Sequence, residues 1–144
     1  RRSSDLDKYG ISPGLLEIEI TESIRNAPEI DLKELIGKLR QAGFTVALDD
    51  FGTEYVNLSL LSSVEFDVLK LDKTMVDDMV NNPKAQAIIE SIAGICKKMG
   101  IRVVAEGIET EEQMSVLRTC GVETAQGYLF SRPIPVEEYE EKYL

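Results

Sequence analysis

Five short apolar runs, each ended by an acidic or amide side chain and separated by helix-like stretches, constrain this chain more than any other feature. "LLEIEIT" (Leu15 to Thr21) alternates apolar and polar residues at period two, as a half-buried strand does. "FTVALDD", "FDVLKLD" and "IRVVAEG" read as further strands, and "ETAQGYLF" holds a fifth. Asp5 to Tyr9 reads as the tail of a helix closed by Gly10. "DLKELIGKLRQAG" is a helix with Asp31 and Glu34 at capping-box spacing and Gly43 just past its end. "VNLSLLSSV" suggests a short helix, and "NPKAQAIIESIAGICKKMG" a long one opened at Asn82-Pro83 and closed at Gly100. "TEEQMSVLRTCG" begins with Thr110 and Gln113 at capping-box spacing, and "PVEEYEEKYL" is a last helix. Strands separated by helices demand an α/β fold with a largely parallel sheet and helices packed outside it. A doubly wound sheet and a barrel both satisfy that periodicity.

Composition narrows the function classes. The chain has 144 residues, 43% hydrophobic and 29% charged, enough for one domain with a core. No repeat, linker or low-complexity segment divides it. No apolar run approaches the ~20 residues of a membrane span, and no secretory leader pattern is present. The first residue is Arg1, so the sequence reads as a piece of a longer polypeptide. The net charge of −10 argues against a DNA or RNA binder, which needs cations to displace counterions. It leaves room for a small phosphate ligand held through bound metal ions. The chain has no histidine, which excludes a histidine base or a histidine-ligated zinc within it. Cys96 and Cys120 stand apart in apolar surroundings and read as buried, reduced residues of a cytoplasmic protein.

The polar residues collect at the carboxyl ends of the strands. Strand one supplies Glu19 and Glu22, and strand two Asp49 and Asp50. Strand three supplies Lys70 and Asp72, strand four Glu106 with Glu109 beyond it, and strand five Gln126. In both candidate architectures this rim is where ligands bind. Carboxylates crowded there repel one another unless protonated or neutralised. Mg²⁺ or Mn²⁺ resolves the conflict, because hard divalent cations take oxygen ligands and a pair of them can share a carboxylate and activate a water. Alternation places Val68, Lys70 and Asp72 on one face, and Arg102, Val104 and Glu106 on one face. Asp49 and Asp50 point to opposite faces unless the strand breaks between them. Singly, each residue has a plain reading: Asp49-Asp50 as a turn cap, Lys70 as a snorkelling surface lysine, Glu106 as a helix cap. Five strands delivering such groups to one rim favour a site.

The segments "LEIEITES", "VALDDFGTEYVNLSLL", "FDVLKLDKTMV", "VVAEGIET" and "QGYLFSRPIP" resemble, in order and spacing, the motifs of the EAL domain, the bacterial cyclic di-GMP phosphodiesterase. The resemblance runs from about Ser12 to the end. It implies a TIM-like (β/α)₈ barrel that opens cyclic di-GMP to linear pGpG with two Mg²⁺ or Mn²⁺ ions. By resemblance, Glu19 is a metal ligand, Glu22 braces the loop after strand two, Asp49 bridges the two metals and Asp50 joins the second. Lys70 matches the lysine that touches the attacking water and the phosphate. Glu106 matches the glutamate beside that water, a general base. Glu109 and Gln126 match supporting residues. The resemblance further implies a homodimer in the intact domain, with an upstream sensor or diguanylate-cyclase-like domain possible.

Two departures from the family pattern stand out. A (β/α)₈ barrel takes on the order of 250 residues, and only about five βα units fit here. The Glu-Ala-Leu motif and the asparagine motif, which carry further metal ligands, are not in this sequence. The expectation is therefore the carboxyl-terminal part of one EAL domain, spanning residues 1–144 and inactive on its own. The second departure is the loop after strand two. Glu54 stands where glycine is usual, and Val56 and Asn57 stand where small residues are usual. That loop favours an alternative, a degenerate EAL domain that binds cyclic di-GMP or a protein without hydrolysis.

Overall fold

A computed structural model describes residues 3–21, 31–52 and 58–144. In chain order these form α1 (Ser3–Tyr9), a 3₁₀ turn (Pro13–Leu15), β1 (Glu17–Thr21), α2 (Leu32–Gln41), β2 (Thr45–Phe51), α3 (Leu58–Ser63), β3 (Val68–Leu71), α4 (Lys73–Met79), α5 (Pro83–Met99), β4 (Arg102–Ala105), α6 (Glu111–Thr119), β5 (Thr124–Ala125) and α7 (Val136–Tyr143). The helix starts follow the caps legible in sequence. Asp31 accepts from Glu34 N, Asn82 from Lys84 N and Ala85 N, and Thr110 and Gln113 close a complete capping box. Gly100 ends α5 with φ +73°, the left-handed conformation that glycine adopts without a Cβ penalty. One expectation is corrected and one element is added. Leu15 belongs to the 3₁₀ turn, so β1 begins only at Glu17. "KTMVDDM" forms α4, which periodicity did not announce, and Asp72 caps it by accepting from Thr74 N at 2.8 Å.

All strand pairs are parallel, in the order β1-β2-β3-β4-β5. Strict sequential order decides between the two architectures left open. A doubly wound sheet reverses its order at a switch point, whereas right-handed crossovers in one direction place every helix on the same face. That is the barrel arrangement. The faces agree with it. Ile20, Val46, Leu48, Leu69, Leu71 and Ala105 form the buried helix-side face, joined by Ile36, Val76, Met79, Ile89, Ile92, Cys96 and Leu117 from the helices. The opposite face carries Glu17, Glu19, Asp49, Lys70 and Arg102. Arg102 of β4 reaches Glu17 of β1 at 2.9 Å, over two intervening strands. In a flat sheet those strands lie about 14 Å apart, so the sheet curls toward this polar face. Cys96 and Cys120 are buried and free, and burial pushes the Cys96 thiol up to about 11.

Candidate active site at the carboxyl rim

Lys70 is the centre of the polar face. It is only 5% exposed, which rules out the snorkelling reading. Its ammonium lies 2.5 Å from Glu19 Oε1, 2.8 Å from Glu106 Oε1 and 3.3 Å from Asp49 Oδ1, so residues from β1, β2 and the end of β4 converge on β3. Burial alone would lower the Lys70 pKa. Hydrogen bonds to Glu106 and Glu19 and the charge of Glu106 outweigh it and hold the ammonium well above the ordinary lysine range.

The two aspartates reach one site because the strand does break. Leu48 pairs with Leu69 and Phe51 with Leu71, so β2 spends one residue more than β3 over that interval. This is a β-bulge in which Asp49 and Asp50 together stand opposite Lys70. Asp50 takes φ +57°, the only left-handed non-glycine backbone among the described residues. Aspartate tolerates that conformation better than most side chains. Burial, followed by the charges of Asp49 and Asp72, raises the Asp50 pKa, with Lys70 acting in the opposite sense.

Beyond β4, Glu106 N continues the ladder by donating to Leu71 O at 3.0 Å, which holds the side chain over Lys70. Gln126 follows β5 and donates its amide to Glu106 Oε1 at 3.1 Å. Its position depends on Gly127, where an added Cβ would lie 2.2 Å from Ile108 O and 2.3 Å from Ile108 N. Glu109 stands apart from this cluster and pairs with Lys73 at 3.2 Å. Asp72, which strand alternation grouped with Lys70, is occupied as the α4 cap. Burial would raise its pKa, but the hydrogen bonds from Thr74 prevail and lower it. Glu22, Glu54, Val56 and Asn57 lie outside the described residues. Sequence reasoning passed over Lys73, Asp77 and Met75, which brace the rim loops. Their signal was indirect, in glycines at positions 52 and 107 that leave no room for a Cβ beneath Met75 and Lys73.

The donor set suits a hard divalent cation. Three carboxylates share one ammonium, which leaves negative charge uncompensated. Asp49 Oδ1 is buried and, though near Lys70, makes no aligned hydrogen bond. A desolvated oxygen left in that state seeks a cation. Among the described residues no three acidic side chains gather tightly enough to hold an ion by themselves.

The EAL domain family model matches residues 2–133. The chain belongs to the EAL domain family. The cyclic di-GMP phosphodiesterase RocR of Pseudomonas aeruginosa is 38% identical over 138 residues, which cover 95% of this chain and 35% of that protein. Other relatives matched at similar identity are longer still, and the chain spans 17% of their length. BlrP1 of Klebsiella pneumoniae, solved with calcium and cyclic di-GMP, superposes with a TM-score of 0.86 at 38% identity, covering 92% of this chain and 34% of that one. The EAL domain of Mycobacterium smegmatis DcpA superposes equally well, at 0.86 and 34% identity, covering 97% of this chain and 63% of that one. The same BlrP1 protein was also solved with manganese and cyclic di-GMP. The five-stranded sheet is thus part of an EAL-type, TIM-barrel-like fold.

Proposed function

We propose that this chain is the carboxyl-terminal part of an EAL domain whose complete form hydrolyses cyclic di-GMP to linear pGpG. The observation that carries the reading is the convergence of Glu19, Asp49 and Glu106 on the buried Lys70, beside a bulge that brings Asp50 to the same rim. In this reading Glu19, Asp49 and Asp50 hold Mg²⁺ or Mn²⁺, with the remaining ligands supplied by residues outside the chain. Bound there, such ions would neutralise phosphate charge and lower the pKa of a water so that it can give up a proton and attack. Lys70 donates to a phosphate oxygen and stabilises the charge that grows on it. Glu106, oriented by Gln126, accepts the proton of the attacking water. Water adds to phosphorus, one P–O ester bond breaks, and the proton ends on the departing ribose oxygen. Glu22 and Glu109 support the loops around the site. In this reading the complete protein works in the cytoplasm, free or tethered to a membrane through other regions, and pairs through its EAL domain with a second copy, with room upstream for a sensor or diguanylate-cyclase-like domain. Among the described residues no helix is long and apolar enough to cross a membrane.

The altered loop favours a second reading, a binding module without hydrolysis, because Glu54, Val56 and Asn57 replace the small residues of the family pattern. The test is hydrolysis of cyclic di-GMP by the complete protein with Mn²⁺, alongside Glu54→Gly and the isolated 144-residue piece. The enzyme reading expects linear pGpG from the complete protein and none from the piece. Binding without turnover, restored to turnover by Glu54→Gly, would assign the defect to the loop.

A further inference from the structure

The capping residue Gln113 is 7% exposed, and both ends of its side chain are committed. Its Oε1 accepts from Glu109 N at 2.8 Å and Thr110 N at 3.0 Å, closing the start of α6. Its Nε2 donates to Asp77 Oδ1 on α4 at 3.1 Å. The same Asp77 oxygen accepts from Lys73 Nζ at 2.9 Å, and Lys73 pairs with Glu109 at 3.2 Å. The aliphatic part of Lys73 lies so close to Gly107 that an added Cβ there would stand 2.6 Å from Lys73 Cγ. At its other flank, α4 sets Met75 on Gly52, where an added Cβ would meet the sulfur at 2.0 Å. The loop that carries Glu106, and Gly52 just after Asp49-Asp50, therefore rest on one short helix. A helix of seven residues has little intrinsic stability and takes its position from its contacts.

We infer that Gln113, through Asp77, is a positioning residue that locks α4 to the Glu106 loop and so sets the spacing of Glu106 from Asp49 and Lys70. Glutamate serves a capping box as well as glutamine does. Only the amide also donates to Asp77, whereas a carboxylate there would repel it. The residue choice at position 113 is thus explained by the link and not by the cap. The inference about catalysis rests on the phosphodiesterase reading, and the link itself does not.

The experiment compares Gln113→Glu with Gln113→Glu/Asp77→Asn in the complete protein. The double variant reverses the hydrogen bond. The amide introduced at position 77 donates to the carboxylate introduced at position 113, while the amide oxygen still faces Lys73. Gln113→Glu is expected to lower kcat for cyclic di-GMP about tenfold or more, with KM changed less than about twofold, because the cap and the ligand surface are kept. The double variant is expected to recover kcat to within about threefold of wild type. Amide exchange at Ile108, whose N–H donates to Gln126 O at 3.1 Å, is expected to quicken about tenfold in the single variant and return in the double. Unchanged exchange and kcat in Gln113→Glu, or a loss that Asp77→Asn does not rescue, would overturn the inference. A wild-type protein without hydrolysis would sink the phosphodiesterase reading alone, and the exchange comparison would still decide the link.

Discussion

Replacing Lys70 by methionine isolates the electrostatics of the rim. Methionine approximates the lysine stem and removes the ammonium. The charge sits 2.5 Å from Glu19, 2.8 Å from Glu106 and 3.3 Å from Asp49. At an effective dielectric constant of about 20, a pair at about 3 Å attracts by roughly 5 kcal/mol before desolvation is counted. Glu19 is half-exposed and screened, so Asp49 and Glu106 dominate. The cost of burying the lysine offsets most of the gross attraction. Removing one partner of a buried pair nevertheless leaves the others uncompensated, at about 3–5 kcal/mol. In the complete domain without divalent ions, that corresponds to a Tm lowered by roughly 10 °C at pH 7. The sign with pH follows. Without the ammonium, the three carboxylates repel one another, a penalty that is present while they are charged and relieved as they take up protons. The folded variant then binds protons more readily, so its deficit shrinks as pH falls from about 7 toward about 4. Urea unfolding of both proteins at about pH 4.5, 6 and 7.5 with chelator present measures this. A variant as stable as wild type at the highest pH, or a deficit that does not shrink in acid, would refute the reasoning.

Other consequences are checked by simpler assays. Asp50→Asn keeps the shape and the tolerance for φ +57° while removing a carboxylate whose pKa burial and neighbouring charges raise. Without metal it should raise the Tm of the complete domain at pH 7 by about 2–4 °C while weakening Mn²⁺ affinity, read by calorimetry. The sign follows from the raised pKa, since ionising Asp50 costs stability as pH rises through the unfolded carboxylate value. Gly127→Ala sets a Cβ against the Ile108 backbone and should cost at least about 2 kcal/mol in urea unfolding, with Gln126 displaced from Glu106. Glu106→Gln keeps a hydrogen-bonding side chain at the rim but cannot take a proton, and kcat for cyclic di-GMP should fall about 10²–10⁴-fold with binding retained.

The caps at Asp31, Asn82 and Thr110 were legible because capping chemistry is local, and so were the apolar strand faces. The choice between doubly wound sheet and barrel was not, since both alternate strand and helix and differ only in strand order, which no local window contains. The bulge at Asp49-Asp50 was legible only as a condition. Counting an extra residue requires the register against β3, and the Asp-Asp pair merely tolerates the backbone it needs. Helix α4 was missed because Asp72 continues the alternation of β3 by type while serving as a helix cap in fact. β5 is two residues long, so its strand pairing is carried by little local propensity. Glu109 matched a supporting role by motif, yet its partner Lys73 became visible only once α4 was placed beside the loop.

The central claim is that Glu19, Asp49, Asp50, Lys70 and Glu106 form one metal-dependent phosphodiester site. Anomalous scattering from crystals of the complete protein soaked with Mn²⁺ and cyclic di-GMP tests it most directly. The account expects manganese within about 2.5 Å of carboxylate oxygens of Glu19 and Asp49, with the phosphate beside Lys70 Nζ. Manganese bound elsewhere, or cyclic di-GMP seated away from this rim, would contradict it.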